Sequence, residues 1–294
     1  MARKQFGVLA HPGRPQSAPV AVRIAESLRE RGCEAWALET WTPADARALI
    51  PEAQIVIAIG GDGAMLRAAH VCAGYGVPIL GVNMGYLGFL TEINSPEEWD
   101  SHLDQVVNGD YWIESRMMLK ARVTRGEQVV AESEALNDVV ISRGTMPRMI
   151  RLDAYIDGHW TTSYNADALI IATATGSTAY ALASGGPILP PELRTILLVP
   201  VAPHLSLDRP IVLSEGARVD IVVSAESQAE TIMSADGTAG VGLLPGDHVT
   251  LLASDVVSRF ARLREKNYFY RSLLDRMEPR KPTASAGTPV QLKL

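Results

Sequence analysis

Cysteine is nearly missing: two in 294 residues, Cys33 and Cys72, both in stretches that read as buried. That excludes a disulfide framework or a cysteine-based zinc site and fits a reducing compartment. The six histidines, at positions 11, 70, 102, 159, 204 and 248, never fall at metal-ligand spacing from one another, so structural or surface roles are expected of them. No run is long and apolar enough to cross a bilayer. The first residues lead straight into a strand without the apolar region of a secretion signal, so a cytoplasmic location is expected. There is no Walker A sequence, no complete Gly-x-Gly-x-x-Gly fingerprint and no Gly-x-Ser-x-Gly elbow, which leaves a serine-hydrolase triad without support. Positive charge is in deficit, 27 Lys and Arg against 33 Asp and Glu, which argues against a nucleic-acid surface. Apolar residues are abundant at 47%, ample for a core in one large domain or two ordinary ones.

The most informative stretch runs from Ile55 to Ala69. Ile55-Val56-Ile57-Ala58-Ile59 is a β-branched apolar run, the signature of a strand buried on both faces of a parallel sheet. Gly60-Gly61-Asp62-Gly63 breaks it, and Ala64 to Ala69 returns to helix formers. Strand, glycine turn and helix place the turn at the carboxyl end of a strand, where α/β sheets bind ligands. Glycines there expose backbone N–H groups to anionic oxygens, and the helix dipole reinforces them. Asp62 is the odd member, since a carboxylate repels a phosphate unless it takes a proton or shares a metal ion. The bland alternative makes Asp62 a helix cap in an ordinary turn.

The surrounding segments predict a doubly wound α/β domain. Strands are expected at Phe6 to Ala10, Cys33 to Leu38 and Pro78 to Val82, and helices at Ala18 to Arg31, after Thr42-Pro43, and from Ser95 to near Val107. From Trp112 the pattern changes to short alternating strands and hairpin signals, the strongest being Asp157-Gly158. An all-β, sandwich-like second domain follows. The expected organisation is an α/β, Rossmann-like domain over residues 1–112, a β-sandwich over 113–260, a docking segment over 261–278 and a mobile tail over 279–294.

Three later stretches interrupt their surroundings. Asn137-Asp138 breaks a strand-like run; an amide can pair with an adenine edge and a carboxylate with ribose hydroxyls, while a turn or bulge is the bland reading. Asp167 to Tyr180 runs from a strand into hydroxyls around Gly176, then Gly185-Gly186-Pro187, which suits a polar ligand or a helix start capped by Thr175 or Ser177. Ser234-Ala235-Asp236-Gly237-Thr238 is explained by an Asp-Gly turn alone.

Taken in order with the second glycine loop, Asn83-Met84-Gly85-Tyr86-Leu87-Gly88-Phe89, these motifs resemble the NAD kinase family over most of the chain. The resemblance implies transfer of a terminal phosphoryl group from ATP, or from polyphosphate, to the adenosine-ribose 2′-hydroxyl of NAD. It implies a divalent metal, usually Mg²⁺, with no protein ligand assigned to it, and no nucleic-acid or membrane partner. It also implies a homo-oligomer, dimer or tetramer, whose sites borrow residues from a neighbour. By resemblance Asp62 is the general base within the phosphate turn of Gly60, Gly61 and Gly63. Asn137 and Thr178 contact adenine, and Asp138 the ribose on the nicotinamide side. Gly63, Arg67, Arg148, Asn165, Asp167, Ala179, Tyr180, Ala181, Leu182 and Ala183 complete the NAD contacts. Three positions depart from the family pattern: Asp138 stands where Glu is usual, Ala174 where proline is usual, and Thr238 where glutamine is usual. Two other readings share the turn or the ligand, a diacylglycerol-type lipid kinase (phosphofructokinase also has part of the turn) and a sensor that binds NAD(P) without turnover.

Overall fold

The computed structural model describes residues 4–85, 88–146, 148–266 and 268–269. Four parallel strands come first: β1 (Gln5–Leu9), β2 (Glu34–Leu38), β3 (Ile55–Ile59) and β4 (Ile79–Val82). Four helices cover them: α1 (Ser17–Glu30), α2 (Pro43–Leu49), α3 (Asp62–Cys72) and α4 (Trp99–Asn108). The strand order is β2-β1-β3-β4, so the winding reverses between β1 and β3. A crevice for ligands opens at the carboxyl ends of the strands at such a reversal. Alternation along β3 decides which helices sit where. Ile55, Ile57 and Ile59 pack with Ala21, Ile24 and Leu28 of α1 and Trp99 and Leu103 of α4. Val56 and Ala58 pack with Ala46 of α2 and Met65, Ala68 and Ala69 of α3. Thr42 begins α2, as expected, and does so with a reciprocal cap, its hydroxyl and backbone N–H both engaged with Asp45.

The rest is largely antiparallel: β5 (Trp112–Arg125), β6 (Gln128–Ala135), β7 (Asp138–Arg143), β8 (Ile150–Ile156), β9 (His159–Ala166), β10 (Ala168–Thr173), β11 (Thr195–Val201), β12 (Ile211–Ser214), β13 (Val219–Val223), β14 (Thr231–Ala235), β15 (Val241–Leu243) and β16 (His248–Arg262). A six-stranded sheet, β12-β11-β10-β7-β14-β15, packs on the antiparallel half of the other sheet. Both residues of the Asp157-Gly158 turn have positive φ, +50° and +80°, as a two-residue hairpin of that type demands. Thus the α/β part and the β-sandwich part both form as the sequence predicts.

β16 is much longer than the short strands expected from the sequence for this half of the chain. The register shifts between Ala253 and Val257, where the polar Ser254 and Asp255 sit in an irregularity of one continuous strand. Past it, β16 pairs antiparallel with β5 and, at Phe260, parallel with β4. One strand therefore carries the parallel sheet into the antiparallel one.

Arg262, the last residue of β16, has no exposure. Its Nε donates to Glu114 (2.8 Å), and its Nη1 donates to Glu92 (3.1 Å) and to the Leu90 carbonyl (2.9 Å). Arg116 donates to the same Glu114 oxygen and to the Tyr268 hydroxyl. Glu92 also accepts from Arg264 and from the backbone N–H groups of Leu263 and Arg264. Burial alone would raise the two glutamates, but Arg262 with Arg264 or Arg116 holds them below the ordinary carboxylate range. Tyr268 and Phe269 are buried, Phe269 against Phe89 with ring centroids 6.4 Å apart. Of the docking segment expected over 261–278, residues 267 and 270–278 lie outside the described residues, as does the expected tail over 279–294.

Replacing Arg262 by Met removes one member of a buried, hydrogen-bonded charge network and leaves Glu92 and Glu114 short of a partner. The expected loss is about 3–5 kcal/mol in urea unfolding, with a smaller loss for Arg264→Met because that side chain is 30% exposed.

Candidate active site

The glycine turn sits at the β1/β3 crevice. Gly60 has φ +142°, and a Cβ there would lie 2.7 Å from the Ala64 Cβ, so only glycine fits the passage from β3 to α3. Gly61 is the N-cap and Asp62 the first helical residue. Asp62 is not a helix cap: its Oδ2 accepts from the Phe89 N–H and its Oδ1 from the Leu90 N–H, each at 2.9 Å. An ionised carboxylate has about four acceptor positions, so the two bonds fix its plane and leave capacity facing the crevice. Gly88 is what admits it, since a Cβ there would fall 2.1 Å from Asp62 Oδ1. Tyr86 and Leu87 of this loop lie outside the described residues.

Basic groups gather on the same side. His11 follows β1, and its ring lies against Gly60, with Cδ2 3.5 Å from where a Cβ would stand. Its Nδ1 accepts from the Gly13 N–H at 3.0 Å, which leaves the proton on Nε2. Burial lowers its pKa, and the charges of Arg67 and Arg14 lower it further. Arg14 reaches the second glycine loop, its Nη1 3.9 Å from the Cβ position of Gly85. Gly63 and Arg67 are exposed and lie on one stripe of α3, with His70 below them.

The other half is built from β7, β10 and the β14–β15 turn. Gly176 packs onto the backbone of Asn137; a Cβ would lie 2.0 Å from the Asn137 carbonyl oxygen. Thr173 ties the two segments: its hydroxyl donates to the Leu136 carbonyl (2.6 Å) and accepts from the Gly176 N–H (3.1 Å). Thr175 and Ser177 do not cap a helix, as the sequence suggested. The Ser177 and Thr178 hydroxyls point back to the carbonyls of Ala174 and Thr175 instead, in a three-residue turn, Gly176–Thr178, followed by a short helix, Tyr180–Ala183, and neither has a side-chain cap. The Asp-Gly turn at 236–237 does more than turn. The buried Asp236 carboxylate accepts from the backbone N–H groups of Leu136, Asn137 and Asp138, and from His70 Nε2 of α3 at 2.9 Å. Asp138 is buried with no side-chain hydrogen bond among the described residues. Burial first, and the Asp236 carboxylate second, push its pKa up to about 7.

Asp62, Gly63 and Arg67 thus lie on the helix that reaches, through His70 and Asp236, the segment bearing Asn137 and Asp138, and Gly176 brings in Thr178. Thr178 and Ala179 are half-buried, Tyr180 and Ala183 exposed, and Leu182 half-buried; the Ala181 side chain points into the core with Ile170 and Val199. Three expected contacts stand apart. Arg148 and Asn165 line an open cavity of about 660 Å³ beside the β8–β9 hairpin, whose walls include neither Asp62 nor Asn137. Asp167 pairs with Arg143 (2.9 Å) just before β10, six residues and so about 20 Å of extended chain from Thr173.

Gly88, His70, Asp236 and the Arg262 network were not singled out from the sequence. A glycine inside a quoted loop and an aspartate inside a quoted turn were visible there, but not what they touch.

Two family models match the chain, the ATP-NAD kinase N-terminal domain over residues 21–111 and the ATP-NAD kinase C-terminal domain over residues 136–263. An NAD kinase from Chloroflexus aurantiacus is 38% identical over 274 residues, 93% of this chain and 98% of the relative. One from Pseudomonas aeruginosa is 44% identical over 215 residues, 73% of this chain and 72% of the relative. In fold, the chain is similar to yeast NADH kinase complexed with NADH (TM-score 0.81, 23% identity, 96% of this chain and 90% of that one). It is also similar to an NAD kinase from Archaeoglobus fulgidus in complex with ATP (TM-score 0.72, 24% identity, 93% and 98%).

Two outcomes follow from the geometry. Gly88→Ala forces the Asp62 carboxylate off Phe89 and Leu90; expected are a loss of about 1–3 kcal/mol and faster amide exchange at those two N–H groups, read by NMR. Asp138 carries a folded-state pKa above its unfolded value of 3.8. The stability its proton brings is complete below pH 4 and is lost as pH rises through about 7. Asp138→Asn removes that dependence, so in urea unfolding the variant should gain on the parent at pH 8 relative to pH 4.

Proposed function

The chain belongs to the NAD kinase family, and from that premise we propose how its residues transfer the terminal phosphoryl group of ATP to the adenosine-ribose 2′-hydroxyl of NAD. The observation that carries the proposal is the Asp62 carboxylate, held by Phe89 and Leu90 in a glycine turn otherwise suited to anions. A sugar hydroxyl is a weak nucleophile, and a fixed carboxylate takes its proton as the new P–O bond forms. Asn137 and Thr178 meet the adenine, and Asp138 the ribose on the nicotinamide side, where hydroxyl donors favour its ionised form. Ala179, Tyr180 and Leu182 supply further contacts, and Ala181 only its backbone.

Phosphoryl transfer is mostly placement and charge neutralisation. The N–H groups of the Gly60 to Gly63 turn and the start of α3 receive donor phosphates, with Arg14, Arg67 and the His11 Nε2–H around them. A divalent metal fits here as the donor's companion: among the described residues no three His, Cys, Asp or Glu side chains gather around a point, and such ions commonly take one or two protein oxygens plus substrate phosphates. Asp62 and the buried Oδ1 of Asn83 beside Gly61, which has no hydrogen-bond partner among the described residues, are the side-chain oxygens that would face it. When bound, it neutralises phosphate charge. Polyphosphate needs the same phosphate contacts and is the alternative donor.

Arg148, Asn165 and Asp167 serve the site of a second copy. Asp167 stands too far from its own Thr173 turn to join it, and exposed Trp160, Met146 and Leu205 provide apolar contact near the β8–β9 edge. The working protein is therefore a homo-oligomer, dimer or tetramer, and it acts in the cytoplasm.

Asp62→Asn tests the base. Turnover measured by coupled NADP formation should fall by roughly two to four orders of magnitude, with NAD affinity by calorimetry within about tenfold. The variant also leaves one of the Phe89 and Leu90 N–H groups without an acceptor, so an unfolding loss of about 1–3 kcal/mol should accompany it. Near-normal turnover would refute the base assignment, and phosphorylation of diacylglycerol by the parent, or binding of NAD without turnover, would refute the reaction itself.

A further inference from the structure

Asp236 holds a carboxylate whose acceptor positions are all in use. Oδ1 takes the N–H groups of Asn137 (2.8 Å) and Asp138 (3.1 Å), and Oδ2 takes the Leu136 N–H (2.7 Å) and His70 Nε2–H (2.9 Å). Its own N–H donates to the Asp138 carbonyl at 2.9 Å. Its side chain is 1% exposed, so nothing remains to offer a ligand. It clamps the short segment on which Asn137 and Asp138 stand. Its position is set by a φ of +46° in the β14–β15 turn on one side and by His70 on the other.

His70 belongs to α3, the helix that starts at Asp62. Eight residues of helix separate them by about 12 Å along the axis, and a helix is stiff over that length. We propose that His70 is a positioning residue for NAD: by donating to Asp236 it fixes the Asn137–Asp138 segment at a set distance from Asp62, on the other end of the same helix. The inference rests on the NAD kinase reading above and extends it to the spacing between the base and the dinucleotide contacts. Four observations support it. Asp236 is buried; its remaining donors all belong to the segment being positioned; His70 comes from the other part of the fold; and Gly63 and Arg67 share its helix stripe. Electrostatics agree, since Asp138 and Asp236 repel one another and the His70 donor holds the Asp236 oxygen in place.

The test uses the full-length protein, first checking that the parent makes NADP from NAD, ATP and Mg²⁺. Failure of that check overturns the reading on which the inference rests; the variants bear on the inference alone. His70→Ala should raise the KM for NAD roughly tenfold, with kcat and the KM for ATP within about twofold. His70→Gln, which keeps a donor, should recover most of the loss. Asp236→Asn offers only one carbonyl oxygen to four donors and should raise the KM for NAD at least as much. The double variant His70→Ala/Asp236→Asn should fall short of the product of the single effects, as coupled residues do. An unchanged KM for NAD in folded His70→Ala overturns the proposal. So does an equal rise in the KM for both substrates, a fall in kcat alone, or independent effects of the two residues. Should His70→Ala fail to fold, the Gln variant decides: parent-like KM values uphold the donor role, and a KM for NAD as high as that of Asp236→Asn overturns it.

Discussion

A guanidinium without access to water imposes the strictest condition on this fold. Arg262 stays charged inside the protein only because Glu92, Glu114 and the Leu90 carbonyl surround it, with Phe260 and Tyr268 rings about 5 Å from its central carbon. The partners come from distant parts of the chain: Leu90 and Glu92 from the loop after β4, Glu114 from β5, Phe260 from β16 itself and Tyr268 from the segment after it. The condition reaches the chemistry through a single residue. The Leu90 carbonyl faces Arg262 while the Leu90 N–H faces Asp62. On the other side Arg116, sharing Glu114, extends toward the Thr175 hydroxyl at 3.4 Å, next to the glycine that rests on Asn137. The buried charges thus brace both the proposed base and the dinucleotide contacts.

Much of this was legible in the residues. Ile55 to Ile59 could only be a strand covered on both faces, and the glycines after it marked the crevice. Thr42 and Asp45 announced a helix start, and Asp157-Gly158 a hairpin, because those signals act over a few neighbouring residues. What escaped depends on partners far along the chain. Nothing near Asp62 tells a helix cap from a carboxylate held by residues 27 and 28 positions later. Gly88 looks like any loop glycine until the carboxylate occupying its missing side chain is seen. Asp236 reads as a turn former because its four donors lie about 100 or more residues away. Ser254 and Asp255 hid the length of β16, since a bulge leaves the same local pattern as a loop.

Charge is sorted across the crevice. Arg14 and Arg67, whose charges hold the His11 pKa down, border the glycine turn, whereas Asp138 and the Asp236 carboxylate are buried together on the opposite side. In the proposed reading the phosphates of the ligands meet the donors on the first side and a ribose hydroxyl meets Asp138 on the second, while the Asp236 oxygens are taken up by the backbone and His70. Asp62, the proposed base, stands between the two regions, on the helix that joins them through His70 and Asp236.

The path of β16 also has a consequence for biosynthesis. β4 is the edge of the parallel sheet until β16 arrives, and Arg262 is made about 180 residues after Val82. At ordinary elongation speeds that is a wait of roughly 10–40 s during which β4, paired with β3 on one side and bonded near Gly81 and Val82 by Glu92 and Ile93 on the other, has its outer edge open at Ile79, beside a loop whose Glu92 lacks its arginines. An exposed edge of that kind invites pairing with other chains. That corner of the parallel sheet is completed only when nearly the last strand is made, and chaperone capture should concentrate in that interval.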